Sequence, residues 1–365
     1  MVDSSRIGSL DSKHFGFIES ILMKQGVVAP IVTPDLVDDE SRNFISPRDL
    51  SAKYEINAWK TRFQISVDVQ HCFVLSANAN AFAAYTPAVP NTYYIAIFLG
   101  ALQSNVIFPK LIAHPAVRRL LGLPESLGEI DHPDEVVVLS TMVTSAFLWL
   151  VNHELAHIKN GHLHLSNRIS HGMFSAEAMQ LTNLQDNNLT QHTLEMDADS
   201  FASGRMVSWI IGYSAQHPHH PVLNNNMGAF RLFILSLYAI MRTFDRADWS
   251  VDNLLAYSHP PALIRCSSLA TWGGAFLQQK PGIGIDLQSW LAEAAECIFA
   301  AEEALTGSRI LQNHGDLRGF FFDGSERAPW NIYSDRMLSR WSKLRPELLP
   351  HLLGGVLAPA QASPL

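Results

Sequence analysis

Two histidines and a glutamate in one short segment have the spacing of a zinc-binding helix. Residues 153–157 read His-Glu-Leu-Ala-His, which places His153 and His157 four positions apart with Glu154 beside the first of them. Positions four apart lie on the same face of an α-helix, so both imidazoles can reach one metal ion. The glutamate then lies next to the metal, where it can accept a proton from an attacking water. The spacing therefore predicts a catalytic zinc site.

The segment before this pattern predicts that it lies on a buried helix. Residues 136–151 are almost wholly apolar, and the helical pattern continues from Asn152 to Ile158. Gly161, which follows Asn160, predicts the end of the helix, because glycine readily adopts the left-handed conformation found there. A structural zinc site closes four positions, commonly with cysteine, whereas a catalytic site has three protein ligands and a water. The sequence has no cysteine near this segment, which favours a catalytic site.

A second acidic segment supplies a candidate third ligand. Residues 195–199 read Glu-Met-Asp-Ala-Asp, so that Glu195 and Asp199 would share one face of a helix packed against the first. We expect Glu195 to bind the metal and Asp199 to accept the ring N–H of a metal-bound histidine. Asp197 is expected to face elsewhere. The alternative interpretation is an acidic first turn favoured by the helix dipole.

Together these segments resemble a known family of metallopeptidases. The HExxH and Glu-x-x-x-Asp patterns are similar to those of the gluzincins, and residues 195–202 resemble the branch that contains HtpX and the CAAX prenyl proteases. Residues 80–83 with residues 93–102 resemble that branch's edge strand and the helix after it, and residues 258–265 resemble its HPP element. The resemblance implies a zinc-dependent endopeptidase with Zn2+ as cofactor and a protein or peptide as substrate.

The fold implied by the resemblance is α+β. We expect a mainly helical, zincin-like catalytic domain with a small antiparallel sheet whose edge strand borders the cleft. An extended substrate would add to this edge through main-chain hydrogen bonds. Residues 63–69 also alternate as a strand does. The residues assigned to the edge strand are Asn80, Ala81, Phe82 and Ala83.

The mechanism expected of such a site divides the chemistry among few residues. Glu154 takes the proton of the attacking water and later passes it to the leaving amine. The oxyanion of the tetrahedral intermediate needs a hydrogen-bond donor besides the metal, and three residues of the HPP region are candidates. His259 is preferred, with Tyr257 and Arg265 as alternatives.

Length and composition are those of a globular enzyme. The 365 residues are 47% hydrophobic and 16% charged, which excludes a disordered protein. A formal net charge of −8 argues against general binding to nucleic acid or to anionic membranes. We predict an N-terminal segment at residues 1–51, which could be a lid or a pro-segment, a catalytic domain at 52–270 and a C-terminal helical region at 271–365. Helices are expected at residues 14–24, 287–305 and 335–344.

The sequence predicts a cytoplasmic protein without stable transmembrane insertion. The N-terminus has neither the basic start nor the continuous apolar stretch of a signal peptide. The longest clean apolar run, at residues 136–151, has sixteen residues, where about twenty are needed to cross a bilayer.

Two alternatives to a general endopeptidase stay open. One is a soluble regulatory or phage-exclusion peptidase with a single dedicated protein target, which the chain resembles more loosely. The other is a zinc-binding module without catalysis. The remaining histidines are interpreted as loop residues: solvated at His162, His164 and His171, and in a His/Pro-rich loop at His217, His219 and His220.

Overall fold

The computed structural model of this chain is α+β and mainly helical, with one small sheet, as the sequence predicts. The residues that the structure describes are 12–24, 26–34, 37–76, 80–102, 107–124, 132–165, 184–245, 251–257, 259–279, 286–306 and 329–359. His171 lies outside these ranges.

The order of the elements begins with a helix and a short strand. The strands are β1 Ile31–Val32, β2 Asp68–Val74, β3 Ala81–Tyr85 and β4 Thr92–Phe98. The helices are α1 Ser12–Lys24, α2 Asp39–Phe63, α3 Leu99–Leu102, α4 Ile107–Ala113, α5 Pro115–Leu121, α6 Pro133–Lys159, α7 His162–Leu165, α8 Leu184–Ala215, α9 Asn226–Arg242, α10 Ala262–Gln278, α11 Leu287–Thr306 and α12 Pro329–Leu348. The three helices predicted above are confirmed as α1, α11 and α12.

The chain divides into two compact units. The first contains residues 1–103, 150–184 and 343–357, and the second contains residues 104–149, 185–342 and 358–365. Helix α6 supplies residues to both units. The domain limits expected from the sequence stay predictions.

The sheet of the first unit has the strand order β1-β2-β4-β3. Strands β2 and β4 pair in parallel, whereas β1 with β2 and β3 with β4 pair antiparallel. The expectation of a wholly antiparallel sheet is therefore wrong in this detail. The physical reason lies in β4, because all its residues are buried and a continuously buried apolar strand takes a central position. Strand β4 therefore lies between β2 and β3, and β3 takes the outer position.

Strand β3 is an edge strand of the described sheet and contains Ala81, Phe82 and Ala83 of the predicted edge, whereas Asn80 precedes it. Its side chains are buried from Ala81 to Ala84, and Phe82 is 0% exposed. Phe82 belongs to a core cluster that also contains Ile18 and Leu22 of α1, so α1 covers this face of the sheet. The strand therefore contributes to the core as well as to the sheet edge.

The strand predicted at residues 63–69 is wrong for its first five residues. Helix α2 continues to Phe63, and β2 begins only at Asp68. Gln64 adopts the left-handed conformation, with φ 53°, and its N–H reaches the carbonyls of Lys60 and Thr61 to close the helix. Alternation over a few residues does not distinguish such a helix end from a strand.

In the second unit, α9, α10 and α11 pack on one another through large buried side chains. The ring of Trp290 in α11 stacks on Phe230 of α9. Glu302 of α11 accepts hydrogen bonds from Tyr238 and Arg242 of α9, at 2.7 and 3.0 Å. Apolar stacking and a buried ion pair thus fix the same helix pair.

Helix α6 is longer than its clean apolar run implies. The helix has 27 residues, and its most apolar stretch has a mean hydropathy of 1.6, so it is long and apolar enough to cross a membrane. However, 72% of that stretch is buried inside the protein. A core helix of a soluble protein meets the same criteria. The burial favours a core helix over a membrane span.

The end of α6 confirms the predicted role of Gly161. Its φ is 76°, in the left-handed region that glycine tolerates best. The residue also lies against His351: a Cβ at this position would be 2.7 Å from the Cβ of His351 and 2.9 Å from its carbonyl oxygen. Both the backbone conformation and the packing therefore require glycine.

We predict that Gly161→Ala destabilises the protein by more than Gly122→Ala. Each substitution places a side chain in the left-handed region, which costs roughly 1–2 kcal/mol. Gly122 has φ 66° and would meet nothing within 4 Å, whereas Gly161 would also collide with His351. Urea unfolding of both variants and the wild type measures the difference. Equal losses would mean that the His351 contact does not constrain the turn.

Candidate metal centre

The structure brings the three predicted ligands together. His153, His157 and Glu195 are all buried, and each offers one ligand atom to a group whose atoms lie within 4.8 Å of one another. The Nε2 atoms of the two histidines are 3.2 Å apart. Two nitrogens bound to one tetrahedral zinc at about 2.0–2.1 Å would lie roughly 3.3 Å apart, so their spacing fits a shared ion. This group can therefore bind a metal ion.

The donor set would also leave room for a water on a bound metal ion. Two imidazoles and one carboxylate are three protein ligands, which leave a position for water on a four-coordinate metal. Glu154 lies next to His153 on α6 and is 4% exposed. Within the described ranges, no other cluster of three histidine, cysteine or acidic side chains meets the same distance criterion.

Helix α8 presents Glu195 beside a buried cation. Arg265 Nη2 is 3.4 Å from Glu195 Oε2, and Arg265 also pairs with both carboxylate oxygens of Asp199, at 2.8 Å each. Burial alone would lower the pKa of Arg265, but attraction and hydrogen bonds from Asp199, with a contribution from Glu195, outweigh this and raise it. The guanidinium is therefore a fixed positive charge next to the third ligand.

Asp199 accordingly has a partner that the sequence did not indicate. It was expected to accept the ring N–H of a metal-bound histidine, and its bidentate pair with Arg265 now accounts for both of its oxygens. Arg265 contacts both carboxylates and so links Asp199 to Glu195. The predicted contact to a histidine stays a prediction.

Asp197 faces a different part of the chain, as expected from its position between Glu195 and Asp199. Its Oδ1 accepts the backbone N–H of Ala358 at 2.8 Å. The carbonyl of Ala358 in turn accepts from the indole N–H of Trp341. Asp197 therefore anchors Ala358 to α8 within the second unit.

His259 lies close to the third ligand. Its Nε2 is 3.7 Å from Glu195 Oε1, and its side chain is 19% exposed. Pro260 and Pro261 follow it and lead into α10, which carries Arg265. The HPP region thus places both His259 and Arg265 beside Glu195, while Ser258 lies outside the described residues.

A further residue, His192, holds this region in place. It lies one helical turn before Glu195 on α8, where its Nε2 is 2.9 Å from the carbonyl of Tyr257 and its Nδ1 is 2.6 Å from the hydroxyl of Tyr333. A neutral imidazole satisfies both contacts by donating from Nε2 and accepting at Nδ1. Burial lowers the pKa of His192 to about 3, against the hydrogen bond to Tyr257, which raises it. His192 therefore ties α8 to the backbone two residues before His259.

The sequence alone gave no indication that His192 belongs to the helix that carries Glu195. Helix α8 in fact begins at Leu184. His192 lies three positions before Glu195, and positions three apart share a helix face. This spacing could have indicated that the two side chains lie near each other.

The interpretation of His162 as a solvated loop residue is wrong. His162 is 0% exposed, and its Nδ1 is 3.0 Å from Nδ1 of His157. His164 is exposed, as expected, and stacks on His351 with ring centroids 4.3 Å apart. His220 is also buried, and its Nδ1 accepts backbone N–H groups of its own loop.

Comparison with known proteins returns no match. No family model, no curated protein and no solved structure matches this chain. The resemblance to gluzincin peptidases therefore rests on the short segments described above and stays a prediction.

We predict that the stability of the metal-free protein depends on His192 at mildly acidic pH. In the folded state its pKa is about 3, below the value of about 6.5 for an exposed histidine, so the unfolded state takes up the proton first. The stabilising contribution is complete above pH 6.5 and is lost as the pH falls towards 3. Urea unfolding between pH 7 and 5 should give a wild-type slope steeper than that of His192→Gln by up to about 1.4 kcal/mol per pH unit. Parallel slopes would contradict this prediction.

Proposed function

We propose that this protein is a zinc-dependent endopeptidase. The observation that carries the proposal is the buried group of two histidines and a glutamate, with Glu154 between the two histidines in sequence. A zinc ion held by His153, His157 and Glu195 would polarise the scissile carbonyl and make the attacking water more acidic. The remaining chemistry belongs to side chains of the chain itself.

Glu154 is the proposed general base. It follows His153 directly on α6, so it lies beside the ligand face and not on it. It would accept a proton from the attacking water and deliver that proton to the leaving amine.

His259 is the proposed donor to the oxyanion. Among the three candidates of the HPP region, Arg265 is already bound to Asp199 through both of its carboxylate oxygens. The contact of Tyr257 with His192 involves only its backbone carbonyl, so its hydroxyl stays the alternative donor. His259 combines a position 3.7 Å from an oxygen of Glu195 with partial exposure, which lets it meet a bound substrate. This position favours His259.

The substrate class in this proposal is a protein or peptide. The strand-addition hypothesis assigns the substrate to the β3 edge near Asn80, Ala81 and Ala83. The burial of Phe82 means that a proline at that position would disturb the core as well as the edge. A substitution there is therefore a poor test of strand addition, and the zinc site supplies better ones.

We predict about one zinc per chain in the purified protein, measured by metal analysis. His153→Ala should lose it, and Glu195→Gln should weaken zinc more than Asp199→Asn does. The first two variants remove or neutralise a ligand, whereas the third changes a partner of Arg265. Loss of such an outer partner typically lowers metal affinity roughly 10 to 100-fold. Melting curves of the metal-free variants show whether each one is folded. Full zinc occupancy in folded His153→Ala would exclude this site.

Glu154→Gln should retain zinc and lose peptide hydrolysis. The amide preserves the size of the side chain but cannot accept the proton of the attacking water. A casein assay together with a proteome-wide cleavage assay measures activity on general and dedicated substrates. Zinc-loaded wild type without turnover on either would favour the silent zinc-binding module. Cleavage of one protein alone would favour the dedicated peptidase.

His259→Ala should keep its zinc and lower kcat by something like 10² to 10³-fold, with KM nearly unchanged. The reason is that a donor to the oxyanion acts in the transition state and contributes little to substrate binding. His132→Ala, at a histidine with 62% side-chain exposure, is the matched control. A lowered melting temperature with unchanged kcat would assign His259 a structural role.

A further inference from the structure

We infer that His162 is a positioning residue that keeps His157 in the tautomer needed to bind a metal. Three histidines form a continuous buried series: His153 Nε2 faces His157 Nε2 at 3.2 Å, and His157 Nδ1 faces His162 Nδ1 at 3.0 Å. Their rings meet edge to face at each step, with centroids 4.9 and 5.0 Å apart. His162 thus contacts the nitrogen of His157 that points away from the other ligands. This inference rests on the proposed metal centre.

The tautomer of His157 follows from this arrangement. A neutral imidazole carries one proton, and the nitrogen that binds a metal must present its lone pair. Because Nε2 of His157 faces His153 within the ligand group, the proton belongs on Nδ1. Nδ1–H of His157 then donates to Nδ1 of His162, which must accept. This is the contact that a carboxylate or a backbone carbonyl supplies to many metal-bound histidines.

The turn after α6 is built to return His162 to His157. Gly161, in the left-handed conformation, reverses the chain directly after the helix, and α7 begins at His162. The segment after α12 covers the turn, because Leu353 N–H donates to the carbonyl of Lys159 at 2.8 Å. Gly355 lies against the same carbonyl: a Cβ there would be 2.8 Å from that oxygen. The position of His162 is thus fixed by packing from a distant part of the sequence.

Substitution at His162 should therefore change zinc affinity. His162→Ala removes the acceptor, and the expected loss of zinc affinity is about 10 to 100-fold, as for other partners of metal-bound histidines. His162→Asn is the conservative variant, since its side-chain oxygen can lie where Nδ1 lies and accept the same proton. We expect Asn to retain an affinity within a few-fold of wild type.

The test is a competition titration of Zn2+ against a chelator, with melting curves of the metal-free forms. Weak binding by His162→Ala with rescue by His162→Asn supports the inference. Equal affinity of Ala and wild type overturns it. Equal weakening by Ala and Asn also overturns it, because a role in shape or packing alone would not distinguish an acceptor from its absence.

A second measurement separates this inference from the metal centre itself. Nitrogen-15 spectra of the histidines in metal-free wild type report the tautomer directly, and we expect the proton of His157 on Nδ1. Finding it on Nε2 overturns the inference, whether or not zinc binds and even if His162→Ala fails to fold. Wild type that binds no zinc, yet has His157 protonated on Nδ1, would contradict the proposed function and leave the role of His162 intact.

Discussion

A buried guanidinium shared by two carboxylates is the interaction on which the candidate site depends. Glu195 and Asp199 lie four positions apart on α8 and are both buried. Without a cation, two carboxylates on one buried helix face would repel each other and lose hydration, and one would take up a proton. Arg265 satisfies Asp199 through two hydrogen bonds and still reaches Glu195 at 3.4 Å. Arg265 therefore offsets negative charge beside Glu195 as well as on Asp199.

The position of Arg265 is itself set by several contacts within the second unit. Its guanidinium lies over the ring of Trp149, 5.2 Å from the centroid. Helix α10 has no side-chain cap on Pro261, and Asp245 instead accepts the N–H of Ala262. Burial raises the pKa of Asp245 to about 7, opposed by that hydrogen bond. A cation–π contact and a remote cap thus fix the helix that carries the guanidinium.

Local sequence patterns predicted the candidate ligands because those patterns are properties of single helices. Four-residue spacing placed His153 with His157, and Glu195 with Asp199, on shared faces before any packing was known. The partners of these residues are tertiary properties. The chain returns Arg265 to Asp199 from 66 positions away, and His192 meets Tyr333 across 141 positions. No periodicity carries such information, since it records which face of an element is buried and not what covers it.

The burial of His162 was hidden for a related reason. Polar residues after a helix-ending glycine are usually solvated, and this expectation holds for His164, which is exposed. At His162 it fails because residues 351–355, far along the chain, pack on the turn. A reversed chain after Gly161 could have indicated that the next side chain points back to the helix. The glycine indicates that the chain turns, but the burial of His162 depends on residues 351–355, which the local sequence does not reveal.

The choice of an imidazole at position 162 also follows from the charge of its surroundings. Glu154, Glu195 and Asp199 are three buried acids carried by α6 and α8. A carboxylate behind His157 would add a further negative charge that must be buried, which costs several kcal/mol unless it is paired. A neutral imidazole accepts the same proton without adding charge. The imidazoles of His162 and His192 thus position neighbouring residues through hydrogen bonds, and neither contact adds a buried carboxylate.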